Sequence, residues 1–380
     1  MDKKLTVLYV CHDTINFGGA ALSLDNMLSA CKDKVNPIIW LPKECPVMEY
    51  FQKKGYECIA STFSVPIQPI EKRGNAYRRV RDCLGTLRWS YRCAKRMKQR
   101  LAGRDIDIIH SNSSAVIVGF TLAKMLHVRH VWHIREFIDE DFNCRPLIGW
   151  PLMRRFIMKS DAAISITKAV YDHWRLERHR NAYYRWDAVR SKRGAVLETA
   201  KEKYFLFCAA IVTNRYKCGD WAIEAFGKSG LAKDGYRLKL VGVVKDEECK
   251  AEFDSLAKKY GILDYIDYPG KTSDIRPYMK NASAFLMCSQ FEGLGRVTVE
   301  AMFYGCPVIG RNTGGTAEIV SDGENGYLFD TIDECASLMR RVAEEDTMPM
   351  VRRAQQFAIE NFSEEEYGEF VYKIYQGVLK

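Results

Sequence analysis

The sequence predicts an α/β protein made of two doubly wound, Rossmann-like parallel-sheet domains facing each other across a cleft. Three observations carry that expectation. The chain has 380 residues, enough for two ordinary cores. Short apolar strands alternate with helical patterns in both halves, the arrangement that produces parallel sheets with crossover helices. Between them, about 180–203, lies a stretch without periodicity that is dense in Arg, Lys and Tyr and reads as an interdomain linker. The boundaries that follow are 1–190, 191–362, and a last helix over 363–380 that packs back towards the first domain.

Taken in order, the strands of the first half are 5–11 (LTVLYVC), 35–41 (VNPIIWL), 106–111 (IDIIHS), 129–134 (RHVWHI) and 161–166 (DAAISI), with helical patterns over 20–31 and 116–126. In the second half, strands read over 204–212 (YFLFCAAIV), 237–243, 265–270, 284–289, 307–310 and 326–329, joined by helices over 219–228, 246–259 and 296–304. At the C-terminus, Ser363 and Glu366 have capping-box spacing, and Tyr367, Phe370, Ile374 and Val378 mark one helical face. In such sheets ligands bind at the carboxyl ends of the strands.

Composition narrows the class. With 47% hydrophobic and 28% charged residues the chain is globular, and no apolar run approaches the roughly 20 residues that span a bilayer. The N-terminal apolar run is broken by His12 and Asp13 and reads as a first strand, not a signal peptide. Thirteen cysteines are scattered without a C-x-x-C pair, as expected of reduced, cytoplasmic thiols used as small hydrophobes. The net charge of +9 is uneven: residues 1–200 carry an excess of fourteen positive charges and the remainder five negative. Residues 72–104 alone hold twelve basic residues against one acidic. Within them Val80, Leu84, Leu87, Tyr91, Ala94, Met97 and Leu101 recur every three or four positions, predicting an amphipathic helix over 76–101 with an arginine-rich outer face. Such a face suits an anionic membrane surface, with Tyr77 and Trp89 near the interface. No nucleic-acid module accompanies it.

The densest chemistry lies in 291–309, FEGLGRVTVEAMFYGCPVI. A strand should end near 289, a glycine loop should follow, and a helix should begin at 296. The first amides of that helix lack internal partners and carry the positive end of its dipole, so they suit a phosphate. Glu292 stands before the helix and Glu300 one turn inside it, two carboxylates able to accept hydrogen bonds from sugar or ribose hydroxyls at either end of a diphosphate. Arg215 and Lys217, after the domain's first strand, offset the charge.

The run from 240 to 329, with E-G-x-G-x-x-x-x-E-A-M at 292–302, then G-x-P-V-I and G-G-x-x-E, resembles the retaining glycosyltransferases of family 4 (glycosyl transferases group 1), which have the GT-B fold. The resemblance implies that Glu292 contacts donor-sugar hydroxyls. It implies that Leu294, Gly295, Arg296 and Val297 meet sugar and diphosphate, that Glu300 binds the ribose, and that Lys217 binds the diphosphate. It also implies transfer without a metal or other cofactor. Two departures stand out: the family's G-R falls at Ile211-Val212, and its K-G is Lys217-Cys218. Arg215 or Arg296 is the candidate substitute cation.

In the first domain, Gly18 and Gly19 sit where strand gives way to helix and resemble the family's N-terminal glycine loop. His133 resembles the family's donor-contacting histidine, beside Arg135 and Glu136, which serve the acceptor or pair with each other. The implied activity is transfer of a hexose-type sugar, with retention, from a nucleotide-sugar donor to a glycan or lipid-linked acceptor. The implied setting is bacterial surface-polysaccharide synthesis, in the cytoplasm and peripheral to the membrane. The alternatives are a catalytically weak nucleotide-sugar-binding partner of a glycan assembly complex, or a nucleotide-sugar epimerase of the same fold. A nicotinamide dehydrogenase is disfavoured because G-x-G-x-x-G follows neither first strand.

Overall fold

The computed structural model describes residues 4–14, 18–72, 74–213 and 216–380. Its contacts divide into two units, Met1–Ala188 with Glu364–Lys380, and Val189–Ser363. Each is a parallel α/β domain, and the fold is of the GT-B class.

In the first unit seven strands run in the order Glu57–Ala60, Val35–Leu41, Leu5–Val10, Ile108–Ser111, Arg129–Ile134, Ala162–Ser165, Ala182–Tyr184. Every pairing is parallel. Val7, Leu8, Tyr9 and Val10 are fully buried, as expected of a central strand covered by helices on both faces, which reads as a continuous apolar run and not as an alternation. The last strand, Ala182–Tyr184, pairs with Ala163–Ser165. The stretch read as linker from 180 therefore begins as sheet, and its Tyr-rich composition is that of an edge strand.

The second unit holds six parallel strands in the order Ile266–Gly270, Arg237–Val244, Tyr204–Val212, Ala284–Met287, Val308–Arg311, Tyr327–Phe329. The order reverses between Tyr204–Val212 and Ala284–Met287. The carboxyl ends of the strands at such a reversal are the usual ligand position in these sheets.

The terminal helix Glu364–Leu379 buries Tyr367, Val371, Ile374, Tyr375 and Val378 in the first unit. It lies so close to helix Gly19–Cys31 that a Cβ on Gly368 would stand 2.5 Å from the Ala30 Cβ. The Cys31 thiol donates to the Gly368 carbonyl at 3.3 Å. Its start differs from the expected capping box: the Ser363 hydroxyl is buried and has no hydrogen-bond partner among the described residues. Ser363 instead belongs to the second unit, where its backbone bridges to Arg190.

The basic helix runs Ala76–Arg100, but its packed face is not the expected one. Ser90, Cys93, Ala94 and Met97 are buried, whereas Val80, Leu84 and Tyr91 lie in solvent. At 100° per residue the positions in register with Met97 and Ala94 are Leu87, Thr86 and Cys83, all half-buried. Val80, Leu84 and Tyr91 lie roughly a third of a turn away and form a second apolar stripe. No helix among the described residues is long and apolar enough to cross a membrane.

Candidate active site

In the second unit, strand Ala284–Met287 ends in a loop whose geometry is set by its neighbours. The Gln290 amide donates to the Tyr216 carbonyl at 3.0 Å, stitching this loop to the one that leaves Tyr204–Val212. Glu292 follows, and the Lys217 ammonium donates to its Oε1 at 2.5 Å. On the other side the Gly315 amide donates to the Glu292 carbonyl at 2.9 Å. A Cβ on Gly314, which has φ of 51°, would come within 2.7 Å of that carbonyl oxygen, and one on Gly315 within 2.5 Å of the Gly293 oxygen. Only glycine permits this backbone-on-backbone approach, so the G-G pair is the seat on which the Glu292 loop rests.

Gly295 then turns into the left-handed region, φ 72° and ψ 51°, and helix Arg296–Phe303 begins without a side-chain cap. The Thr298 amide donates to the Gly295 carbonyl at 2.8 Å, closing the first turn on backbone and not on a side-chain cap. The Thr298 hydroxyl at this helix start is buried and lacks a partner among the described residues. Leu294 is buried, and Arg296 and Val297 are half-buried. Glu300, one turn in and mostly buried, accepts a hydrogen bond from Arg190 at 3.0 Å through Oε1. Arg190 also lies 5.9 Å from the Tyr304 ring centre. Arg296 turns to the Val189 carbonyl at 3.4 Å. Ahead of any ligand, each site carboxylate is therefore matched with a cation, Glu292 with Lys217 and Glu300 with Arg190.

The two departures from the family pattern have separate outcomes. Cys218 keeps the backbone that the usual glycine would supply, with φ of 53° at the cap of helix Gly219–Ser229, and its sulfur faces Arg311. Val212 is fully buried at the strand end, so no cation occupies that position. Arg215 lies outside the described residues.

Gly18, Gly19 and His133 belong to the first unit. Gly18 caps helix Gly19–Cys31 with φ of −69°, and the Asp13 carboxylate accepts from the Ala21 amide at 2.8 Å. An acidic side chain thus already occupies the helix start, and burial raises its pKa. The His133 side chain is wholly buried, at 0% exposure. Arg135, which can only donate, lies 3.1 Å from Nδ1, so Nδ1 accepts and the ring proton sits on Nε2. There the Tyr367 hydroxyl lies at 2.9 Å and the Asp187 carboxylate at 3.4 Å. His110 joins through Nε2 at 3.2 Å, and its own Nδ1 meets the Tyr375 hydroxyl at 2.7 Å. Burial, then the Arg135 charge, holds the His133 pKa well below its ordinary value, so the ring is neutral. Arg135 pairs with Asp187 and Asn112, while Glu136 accepts from the amide and hydroxyl of Ser114. Neither takes the other as its partner in these bonds.

Sequence reasoning missed Arg190, Asp13 and Asp187. Arg190 sits among many basic residues in an aperiodic stretch and carries no signal of its own. Asp13 was legible in principle, as the acidic residue between the first strand and the glycine pair.

Residues 190–360 match the family model for glycosyl transferases group 1, and residues 47–183 that for glycosyltransferase family 4. A polysaccharide biosynthesis protein of Salmonella typhi, VipC/TviE, is 35% identical over 94 residues, covering 25% of this chain and 16% of that protein. The N-acetyl-α-D-glucosaminyl L-malate synthase of Bacillus anthracis is 30% identical over 164 residues, 42% of each chain. The aligned part thus spans less than half the length of these curated relatives. Among solved structures, Anabaena HepE in complex with UDP-glucose superposes with a TM-score of 0.78 at 17% identity, covering 98% of this chain and 100% of that one.

Proposed function

Because the chain belongs to the glycosyl transferases group 1 of glycosyltransferase family 4, we propose that it transfers a hexose-type sugar, with retention of anomeric configuration, from a nucleotide-sugar donor to a glycan or lipid-linked acceptor. The observation that carries this is the pair of carboxylates either side of an uncapped helix start, with Lys217 at the first of them. The Anabaena neighbour described as a UDP-glucose complex supports a nucleotide-sugar donor and makes UDP-sugars the first to try. The Salmonella relative's description supports a place in surface-polysaccharide synthesis.

Donor binding exchanges partners. The diphosphate takes the positive end of helix Arg296–Phe303 and the Lys217 ammonium, while Glu292 turns to sugar hydroxyls and Glu300 to the ribose diol. Transfer breaks the bond between the anomeric carbon and the diphosphate oxygen. Negative charge gathers on the leaving phosphate, where the amides and Lys217 stabilise it without a metal. The acceptor hydroxyl attacks the same face, and its proton passes to the departing phosphate oxygen. Glu292 positions the sugar and stabilises its developing positive charge. His133, neutral and buried, keeps Arg135 and Tyr367 in register. The test is release of nucleoside diphosphate from a panel of UDP-, GDP-, ADP- and CMP-sugars with glycan and lipid-linked acceptors. Release with one donor is expected. Binding without release, with every acceptor supplied, overturns the proposal in favour of a non-catalytic binding partner.

A further inference from the structure

We propose that the solvent side of helix Ala76–Arg100 is a docking surface for an anionic lipid bilayer. The helix carries two apolar stripes. One, through Ser90, Cys93, Ala94 and Met97, is consumed by the core of the first unit. The other is Tyr77, Val80, Leu84 and Tyr91, which are 78%, 60%, 55% and 56% exposed. At 100° per residue these four fall within about 60° of one another, a stripe along four turns. Packing explains the first stripe and leaves the second without a structural role, and a continuous exposed apolar stripe on a soluble domain marks an interaction surface.

The occupant is identified by what flanks the stripe. Arg81, Arg88, Arg92 and Lys95 lie along its edge at similar helical angles, and Arg88, Arg92 and Lys95 make no ion pair among the described residues. Beside them an open concavity of about 400 Å³ is lined by Trp89, Arg92, Lys95, Arg96 and Gln99, with the Arg96 guanidinium 5.3 Å from the Trp89 ring centre. Cations with an aromatic at their margin suit phosphate headgroups, and the aromatic takes the polar–apolar boundary. Exposed Val80 and Leu84 separate this from a nucleic-acid surface, because aliphatic side chains gain nothing from a phosphate backbone but gain from acyl chains beneath the headgroups. The single acid of the helix, Asp82, is held by Arg78 and Arg81 and faces away from the stripe. This surface lies outside the nucleotide-sugar reading. Vesicle binding is measured without donor or acceptor, so the failure of either proposal leaves the other standing.

The test is co-sedimentation of the full chain with vesicles of phosphatidylcholine alone and of mixed phosphatidylglycerol and phosphatidylcholine. Binding to the mixed vesicles only is expected. The variant Arg88→Gln/Arg92→Gln/Lys95→Gln should lose on the order of a hundredfold in partitioning, about fivefold for each cation. The variant Tyr77→Ser/Val80→Ser/Leu84→Ser should lose the fraction that survives about 1 M salt, where charge attraction is screened. All substituted side chains are exposed, so the melting temperature of each variant should match the parent and exclude misfolding. Equal binding to both vesicle types, no binding to either, parent-like binding by both variants, or capture of duplex DNA in preference to vesicles would each overturn the proposal.

Discussion

Glu292→Gln is the substitution most sensitive to the partner exchange, because it should move affinity and turnover in opposite directions. Lys217 pairs with Glu292 at 2.5 Å, with side chains 39% and 18% exposed. A diphosphate must draw the ammonium away, and UDP alone, lacking the transferred hexose, offers Glu292 nothing in return. Removing the carboxylate charge removes that competing ion pair beforehand. An ion pair this open to solvent is worth about 0.5–1 kcal/mol net, so UDP should bind roughly two- to fivefold more tightly to the variant. The gain should vanish near 1 M salt, where the Debye length falls to about 3 Å. Turnover should fall, since a hydrogen bond from a sugar hydroxyl to a charged acceptor contributes about 1.5–3 kcal/mol, or roughly 10- to 150-fold. Titration calorimetry with UDP and a diphosphate-release assay read the two halves. Weaker or unchanged UDP binding together with reduced turnover would show that Lys217 does not serve the diphosphate. Parent-like turnover would remove Glu292 from the site.

Glu300→Gln should weaken UDP binding by roughly 10- to 150-fold through loss of its charged acceptor, and should lower melting by only a few degrees, because Arg190 is 38% exposed. Unchanged UDP affinity with a shifted melt would reduce Glu300 to a structural partner of Arg190. Gly315→Ala drives a methyl against the Gly293 carbonyl at 2.5 Å, so the Glu292 loop must retreat. Turnover should fall at least tenfold, with about 1–3 kcal/mol of stability lost, and parent-like turnover would show that the loop does not need this seat. Burial, then the charge of Glu136, raises the Asp141 carboxyl to about 7, while it accepts from the Phe137 and Ile138 amides. The folded state thus keeps a proton that the unfolded chain gives up near 4, and stability should decline by on the order of 2–4 kcal/mol as pH rises from 4 to 7, then level off. Asp141→Asn should flatten that slope in melts taken across the range.

What the sequence made legible were features that repeat a local rule. Val35–Leu41, Arg129–Ile134 and Tyr204–Val212 keep the limits read from the sequence, because each holds at least four consecutive buried residues, the mark of a strand covered on both faces. The loop and helix over 292–303 were equally plain, though from the motif and not from propensity, since Val297, Thr298 and Val299 are poor helix formers. Side-chain choices between equivalent neighbours were not legible. Arg190 and Arg296 both reach the 189–190 and 300 region, yet Arg190 takes the Glu300 carboxylate and Arg296 a backbone carbonyl. That outcome depends on where the chain re-enters the second unit beside Ser363, a contact 173 positions distant that no local window contains. The basic helix failed for the opposite reason. Its sequence holds two apolar stripes about a third of a turn apart, either of which satisfies the helical period, and only the rest of the fold decides which is packed. The stripe left over is then informative, because a helix that needed burial alone would carry one.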